Sequence, residues 1–248
     1  MDLPNVDLAV YLTTRLKDTL PGEAAQARFS PRLPRQGPFA RETPANARQA
    51  AALILLYPRD QHRAGPRPAV VAGDLQVPGP AQSYAIPLTL RRTDLPDHAG
   101  QISLPGGRID DGETAVAAAL REAEEEIGVD PSSVRILGSL TPLYVLVSRF
   151  VITPFVGVIS ARPTFRLAER EVSELLEIPL DQLRDRDNLH WGHRTREGYL
   201  IDFPYFNITT PDAPHDQPSH QVWGATAMIL GEFISLIDND FGPRDRQT

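Results

Sequence analysis

The pattern of apolar and polar positions predicts a series of strands in the middle of the chain. Residues 51–57 (AALILLY) form a continuous apolar run, and residues 85–92 (AIPLTLRR) form a second, as expected of buried strands. Two β-branched runs at 135–145 and 150–160 predict two adjacent strands. Residues 199–208 (YLIDFPYFNI) predict another strand near the end of the chain.

Helical spacing appears at both ends of the chain. Residues 5–20 have the apolar positions of a short amphipathic helix that ends at Pro21 and Gly22. Residues 222–238 (VWGATAMILGEFISLID) predict a helix packed on the sheet. Residues 168–177 (AEREVSELLE) predict a helical turn or a short acidic segment.

Two stretches have no clear period. The chain after Gly22, up to about residue 48, is rich in Pro, Arg and Ala, which favours an extended arm or loop on the domain surface. Residues 58–84 hold five prolines and are too long for a hairpin loop, so we expect an insertion with one strand at AVVAGDLQV.

Length and composition fit one catalytic domain with additions. The chain has 248 residues, of which 41% are hydrophobic, enough for a substantial core. We divide it into a helix and Pro-rich arm (1–48), the catalytic domain (49–240) and a tail (241–248). The predicted elements suit an α/β fold, a mixed β-sheet layered between helices.

Charge and cysteine content exclude several classes of function. A net charge of −7 argues against a general nucleic-acid surface. The absence of cysteine excludes disulfides, thiolate chemistry and Cys-based zinc sites. No apolar run is long enough for a membrane helix, and the acidic start MDLPNVDLAV lacks a basic leader region. We therefore expect a cytoplasmic protein without a membrane or nucleic-acid partner.

The segment from Gly106 to Val129 carries the chemistry. Its second half has helical period, with an apolar stripe on one side at Val116, Leu120, Ala123 and Ile127. Three acids, Glu122, Glu125 and Glu126, share one turn of the same helix.

Such a cluster of acids requires a cation. Like charges at i and i+4 destabilise a helix, and the helix dipole disfavours anions in the last turn. Hard oxygen ligands without His or Cys suit Mg²⁺ or Mn²⁺, which bind substrate phosphates through their remaining positions. The segment therefore predicts a divalent-metal site for a phosphate substrate.

An acidic helical run is usually only a solvated face. Seven fixed positions make the metal site the better interpretation, because each is filled by chance only about one time in fifteen or twenty. The seven positions are Gly107, Glu113, Arg121, Glu122, Glu125, Glu126 and Gly128.

These positions match the Nudix box, GX5EX7REUXEEXGU, in which U is a bulky aliphatic residue. Ala123 at the first U position is the one soft departure. The resemblance implies an α/β/α sandwich. It also implies metal ligation by Glu122, Glu125, Glu126 and the Gly106 carbonyl, with Arg121 and Glu113 orienting the ligating carboxylates.

The residues before the box resemble coenzyme A pyrophosphatases of this superfamily. PLTLRRTDLPDHAGQISLPGG (87–107) is similar to their LLTXR(S/A)XXXRXXXGXXXFPGG, and matches also occur after the box. Pro96 stands where that pattern has Arg, a candidate phosphate contact. The candidate substrate contacts in this chain are Arg91, Arg92, His98 and Arg149, although each arginine is equally well a solvated surface side chain.

Three further residues have two interpretations each. Glu171 and Glu174 are either solvated acids or carboxylates that approach the metal cluster as a ligand or general base. Trp223 is more often a core residue than a stacking platform.

The resulting hypothesis is metal-assisted hydrolysis of a phosphoanhydride. Two or more Mg²⁺ or Mn²⁺ ions would neutralise the diphosphate and lower the pKa of a bound water, and Glu125, Glu171 or Glu174 would accept its proton. The favoured substrate is coenzyme A or an acyl derivative. The alternatives are another nucleoside diphosphate derivative, such as ADP-ribose or a dinucleotide, and a non-catalytic nucleotide-sensing module. A homodimer is common in the superfamily and is possible here.

Overall fold

The computed structural model describes residues 8–32, 43–59, 84–94, 100–196, 198–209 and 219–244. The helices in these ranges are α1 (Leu8–Arg15), α2 (Gly22–Arg28), α3 (Ala115–Ile127), α4 (Leu180–Arg184) and α5 (Ala225–Ile237). The strands are β1 (Arg48–Pro58), β2 (Tyr84–Arg91), β3 (Ile102–Ser103), β4 (Gly106–Arg108), β5 (Arg135–Ser139), β6 (Leu143–Val145), β7 (Phe150–Val158), β8 (Val172–Pro179), β9 (Leu189–Arg196), β10 (Tyr199–Ile208) and β11 (His220–Trp223).

The main sheet is mixed and is built around β1. The order is β3-β2-β1-β7-β5, and β4, β6 and β8 pair with β1, β7 and β2 respectively. β1 runs parallel to β7 and antiparallel to β2 and β4. A separate sheet of order β11-β10-β9 completes the described strands.

Alternate residues of β1 lie in two different cores. Leu53 and Leu55 belong to the core on the α3 side, which also contains Ala123. Ile54 and Leu56 belong to the larger core that contains residues of α1 and α5. Since side chains alternate across a strand, the sheet has helices on both faces. The predicted α/β/α sandwich is confirmed.

Helix α3 has clear start and stop signals. The Thr114 side chain accepts a hydrogen bond from the Ala117 N–H at 3.2 Å, as an N-cap does. Gly128 ends the helix with a left-handed φ of 73°, a conformation that glycine adopts without steric cost. The stripe that faces the sheet differs from the prediction in part, because Ala118 and Ala119 are fully buried, whereas Val116 is only half-buried.

The chain before β1 is packed into the fold. The Phe29 ring stacks on Phe206 at 5.2 Å between centroids and on Phe241 at 6.1 Å, and all three rings are buried. Phe29 lies so close to α5 that a Cβ at Gly231 would collide with its ring. The buried carboxylate of Glu232 accepts a hydrogen bond from Gln26 Nε2 at 2.7 Å, which fixes α2 on α5.

Several expected elements are confirmed, and others are wrong. The predicted strands at 51–57, 85–92, 135–145, 150–160 and 199–208 are confirmed as β1, β2, β5 with β6, β7 and β10. The predicted final helix is confirmed from Ala225 onward, while Val222 and Trp223 belong to β11.

Two predictions in the less periodic parts of the chain are wrong. Residues 22–28 form α2, where we expected a loop, because Ala25 and the adjacent Phe29 are buried against the core. Residues 172–179 form β8, where we expected a helical turn or a short acidic segment over 168–177, because they pair antiparallel with β2. The expected start of the first helix at 5–7 and the insertion at 60–83 lie outside the described residues.

In the ranges that the structure describes, no helix is both long enough and apolar enough to span a membrane.

Candidate active site

The candidate site lies where β4 and the loop after it meet α3. Gly106 and Gly107 begin β4, which pairs antiparallel with β1. A Cβ at Gly106 would overlap the backbone of Ala51 and Ala52. A Cβ at Gly107 would overlap the carboxylate of Glu122. Glycine at both positions therefore lets β4 lie against β1 and α3 at the same time.

Arg121 connects the loop to the acidic turn of α3. Its Nε and Nη2 lie 3.0 and 3.1 Å from the two carboxylate oxygens of Glu113, and Nη2 also donates to the Arg108 carbonyl at 3.0 Å. Its Nη1 lies 2.9 Å from Glu122 Oε1 and 3.4 Å from Glu125 Oε1. One guanidinium thus orients three carboxylates.

These contacts shift the pKa values of Arg121 and Glu113. The hydrogen bond to Glu113 is the largest cause that raises the pKa of Arg121, so this side chain stays charged. The same hydrogen bond lowers the pKa of Glu113 from its ordinary value. The Asp110 N–H also donates to Glu113 at 3.1 Å, which holds the carboxylate in place.

The three acids of the cluster differ strongly in exposure. The Glu125 side chain is 59% exposed and that of Glu122 is 17% exposed. Glu126 is only 5% exposed, and its buried Oε2 has no hydrogen-bond partner in the part of the chain that the structure describes. Burial, followed by the nearby Glu122 charge, raises the pKa of Glu126 to about 8. Burial also raises the pKa of Glu122.

The acidic face of α3 fits a hard divalent cation. Among the described residues, Oε2 of Glu126 has no hydrogen-bond partner. Burial raises the pKa values of both Glu122 and Glu126, so the negative charge of each is unfavourable. A bound cation would relieve both costs. Among the described side chains, no three acids or histidines already stand together as a metal-binding group. Two of the three acids of this face, Glu122 and Glu125, are instead turned toward Arg121.

Arg91 and Glu171 lie at the inner end of this cluster. Arg91 Nη1 is 3.9 Å from Glu126 Oε1 and 3.7 Å from Glu171 Oε2. Glu171 also adds a negative field that raises the pKa values of Glu122 and Glu126. Of the two later acids, Glu171 is therefore brought to the cluster, while Glu174 lies within β8 opposite Leu90.

The structure does not place the other candidate substrate residues against the acidic cluster as it places Arg91. The Arg92 guanidinium pairs with Asp94 through contacts of 2.8 and 2.7 Å. Arg149 is exposed in the turn before β7. His98 and Pro96 lie outside the described residues. Trp223 is half-buried, with its ring 5.1 Å from Phe203 and 4.8 Å from the Arg194 guanidinium.

Two groups that contact Arg121 in the site were not among the residues predicted from the sequence. The Arg108 carbonyl accepts from Arg121, and Asp110 Oδ2 lies 4.0 Å from the same guanidinium. A backbone carbonyl has no side-chain signal in the sequence. The only available signal was the acidic pair Asp110 and Asp111 between the glycines and Glu113.

Comparison with known proteins gives consistent matches. The NUDIX domain matches residues 84–196. The protein named "Uncharacterized Nudix hydrolase NudL" from Escherichia coli K12 is 34% identical over 205 residues, which cover 79% of this chain and 86% of that protein. Its namesake from Shigella flexneri is 34% identical over 202 residues, which cover 78% of this chain and 85% of that protein.

Solved structures also match, at lower similarity. A Nudix hydrolase from M. smegmatis, RenU, has 22% identity and a TM-score of 0.38, covering 55% of this chain and 73% of that chain. The NUDIX domain of Shewanella oneidensis NrtR, solved with ADP ribose, has 17% identity and a TM-score of 0.38, covering 59% and 81%.

Proposed function

The chain belongs to the Nudix hydrolase family, and on that premise we propose that it is a metal-dependent pyrophosphohydrolase of coenzyme A or its acyl derivatives. The products would be adenosine 3′,5′-bisphosphate and 4′-phosphopantetheine, or its acyl form. The observation that carries the metal-dependent part is the Glu126 carboxylate, which is buried with an unpartnered oxygen beside Glu122.

The metal would be held by the acidic face of α3. Glu122, Glu125 and Glu126 would supply carboxylate oxygens, and the Gly106 carbonyl a further one. When bound, Mg²⁺ or Mn²⁺ would neutralise the diphosphate and lower the pKa of the attacking water. Arg121 would keep Glu122 and Glu125 in position, because it contacts both of them and is itself fixed by Glu113.

A carboxylate of this chain would act as the general base. We assign that role to Glu125, because its side chain is the most exposed of the three acids and is accessible to water. Glu171 is the second candidate, because Arg91 connects it to the cluster. The water oxygen would form a bond to one phosphorus, and the bridging oxygen would leave with the other phosphoryl group.

The preference for coenzyme A is supported by the segment that leads into the site. Residues 87–107, which resemble the pattern of coenzyme A pyrophosphatases, run from β2 through β3 into β4. The first of the two arginines in that pattern, which is Arg91 here, lies within 4 Å of Glu126. A segment that contacts the metal-binding acids is well placed to contact the substrate bound there.

A substrate panel tests this proposal. The purified protein would be incubated with Mn²⁺ or Mg²⁺ and, separately, with coenzyme A, ADP-ribose, NADH and a diadenosine polyphosphate, and the products separated by chromatography. We expect hydrolysis of coenzyme A to the two products named above. Hydrolysis of another substrate with none of coenzyme A would overturn the substrate assignment, and inertness toward all four would overturn the enzymatic function.

A further inference from the structure

Arg91 is a cation that already lies against the most buried acid of the proposed metal site. Its guanidinium lies between Glu126 of α3 and Glu171, a residue of the segment before β8. Arg91 is therefore the positive charge that compensates the inner carboxylate in the structure as it stands. A metal ion held by Glu126 would supply the same kind of charge compensation.

A bulge in the sheet places Arg91 in this position. The pairing of β2 with β8 shifts register between Leu90 and Arg91, so that Leu90 is opposite Glu174 and Arg91 is opposite Val172. Such bulges re-aim side chains next to functional sites. The backbone on both sides is fixed, since the Arg91 N–H donates to the Gln101 carbonyl and the Arg92 N–H donates to the Glu171 carbonyl, both at 3.0 Å.

The carboxylate partners are also fixed by the backbone. The Ala168 N–H donates to the Glu126 carbonyl at 2.9 Å, and the Glu171 N–H donates to the Ala168 carbonyl at 2.8 Å. The segment that carries Glu171 is thus attached to the C-terminal turn of α3. Glu126 and Glu171 consequently remain close to each other whether or not a cation lies between them.

The guanidinium itself is held only weakly. Among the described residues its two acidic contacts, 3.9 Å to Glu126 and 3.7 Å to Glu171, are longer than hydrogen bonds, and its buried Nε has no hydrogen-bond partner there. Arg121, in contrast, forms hydrogen bonds of 2.9 to 3.1 Å with its carboxylates. Of these two arginines, Arg91 is the one that a competing cation displaces at small cost.

We propose that Arg91 is an internal counter-ion that competes with the metal ion for Glu126 and so sets the affinity of the site for metal. Arg91 places its positive charge beside both Glu126 and Glu171. A metal ion held by Glu126 would displace the Arg91 guanidinium from that carboxylate. This inference rests on the proposed function, because it assigns Glu126 to the metal site.

The test is the affinity for Mn²⁺ in the absence of any substrate, measured by the EPR signal of free Mn²⁺ during titration. We expect Arg91→Gln to bind Mn²⁺ more tightly than the wild type by about five-fold or more, a typical coupling between two competing sites. Arg91→Lys, which keeps the charge, should remain within about two-fold of the wild type. Arg92→Gln is the matched control, because it removes the same charge from the next residue, which pairs with Asp94 instead.

The direction of the change separates this role from a structural one. Damage to the fold would weaken Mn²⁺ binding, whereas removal of a competitor strengthens it. Unchanged or weaker binding by Arg91→Gln, with wild-type behaviour of Arg92→Gln, would overturn the role of Arg91 and leave the metal site intact. If Arg91→Gln proves unfolded by circular dichroism, Arg91→Met decides by the same criterion. Failure of the wild type itself to bind Mn²⁺ would overturn the proposed metal site together with this inference.

Discussion

Arg121 and Glu113 form a two-point ion pair, with Nε–Oε1 and Nη2–Oε2 distances of 3.0 and 3.1 Å, across the loop that leads into α3. The pair orients the guanidinium so that its remaining nitrogen faces Glu122 and Glu125. The orientation of the Glu122 and Glu125 side chains therefore depends on the planar guanidinium of Arg121, which has several donors, and not only on its charge.

Replacement of Arg121 by lysine should reduce turnover far more than stability. An ammonium group cannot contact Glu113 and Glu122 in the same two-point geometry, and we expect kcat to fall about ten- to a hundred-fold. Arg184→Lys is the matched control, since Arg184 forms a similar two-point pair with Asp238 of comparable exposure outside the site. Equal kcat in the two variants would show that Arg121 does not orient the site.

Glu126 should make the metal-free protein less stable as the pH rises. Its pKa in the folded protein is about 8, above the ordinary value of 4.5, so folding favours the protonated form. The contribution is fully present below pH 4.5, is lost progressively as the pH rises toward 8, and is absent above it, a change on the order of several kcal/mol. Urea unfolding with EDTA at several pH values should show this slope in the wild type and a flatter one in Glu126→Gln.

A methyl group at Gly107 should impair the site without unfolding the protein. The Cβ of Gly107→Ala would overlap the end of the flexible Glu122 side chain, which can move away. We expect Mn²⁺ affinity to fall about ten-fold, as for other disturbed metal sites, with little change in Tm. Gly106→Ala provides the contrast, because its Cβ meets the backbone of β1 and should lower Tm markedly. A Gly107→Ala variant with wild-type Mn²⁺ affinity would contradict the position of Glu122 in the site.

Glu232 should stabilise the fold without contributing to catalysis. Its carboxylate accepts from Gln26 Nε2 at 2.7 Å and from the N–H groups of Gly22 and Thr141 at 3.2 Å each. Glu232→Ala would remove this acceptor from the half-buried Gly22 and Thr141 N–H groups, while Gln26 Nε2 would keep only the Thr141 carbonyl, so we expect a loss of about 1–3 kcal/mol in the free energy of unfolding. Exposed Glu124→Ala should change it by about 0.5 kcal/mol or less. A loss for Glu232→Ala no larger than that of the control would show that α2 is not held through this carboxylate.

The parts of the site that lie close together in sequence could be predicted, because local spacing determines their geometry. Glu122, Glu125 and Glu126 share a turn of α3, and Gly128 ends that helix, as a helix of 3.6 residues per turn requires. The strand β1 was equally clear, because its apolar run is buried on both faces.

Features that depend on distant residues could not be predicted in the same way. The contact of Arg91 with Glu126 joins residues on β2 and α3 through a bulge that has no sequence signal. Strand β8 could not be predicted, because residues 168–177 are rich in charged side chains and the strand depends on its pairing with β2. Helix α2 is short and depends on Phe29 and Glu232 for its position, so its own period is too weak to reveal it.

The most direct test of the central claim is the hydrolysis of coenzyme A by the wild type and by Glu125→Gln, followed by chromatography with saturating Mn²⁺. The wild type should release adenosine 3′,5′-bisphosphate and 4′-phosphopantetheine in equal amounts. Glu125→Gln should retain its fold by circular dichroism and lose at least about a hundred-fold in kcat, within the range for removal of a general base. Release of both products at the wild-type rate by Glu125→Gln would contradict the assignment of the chemistry to the acidic face of α3.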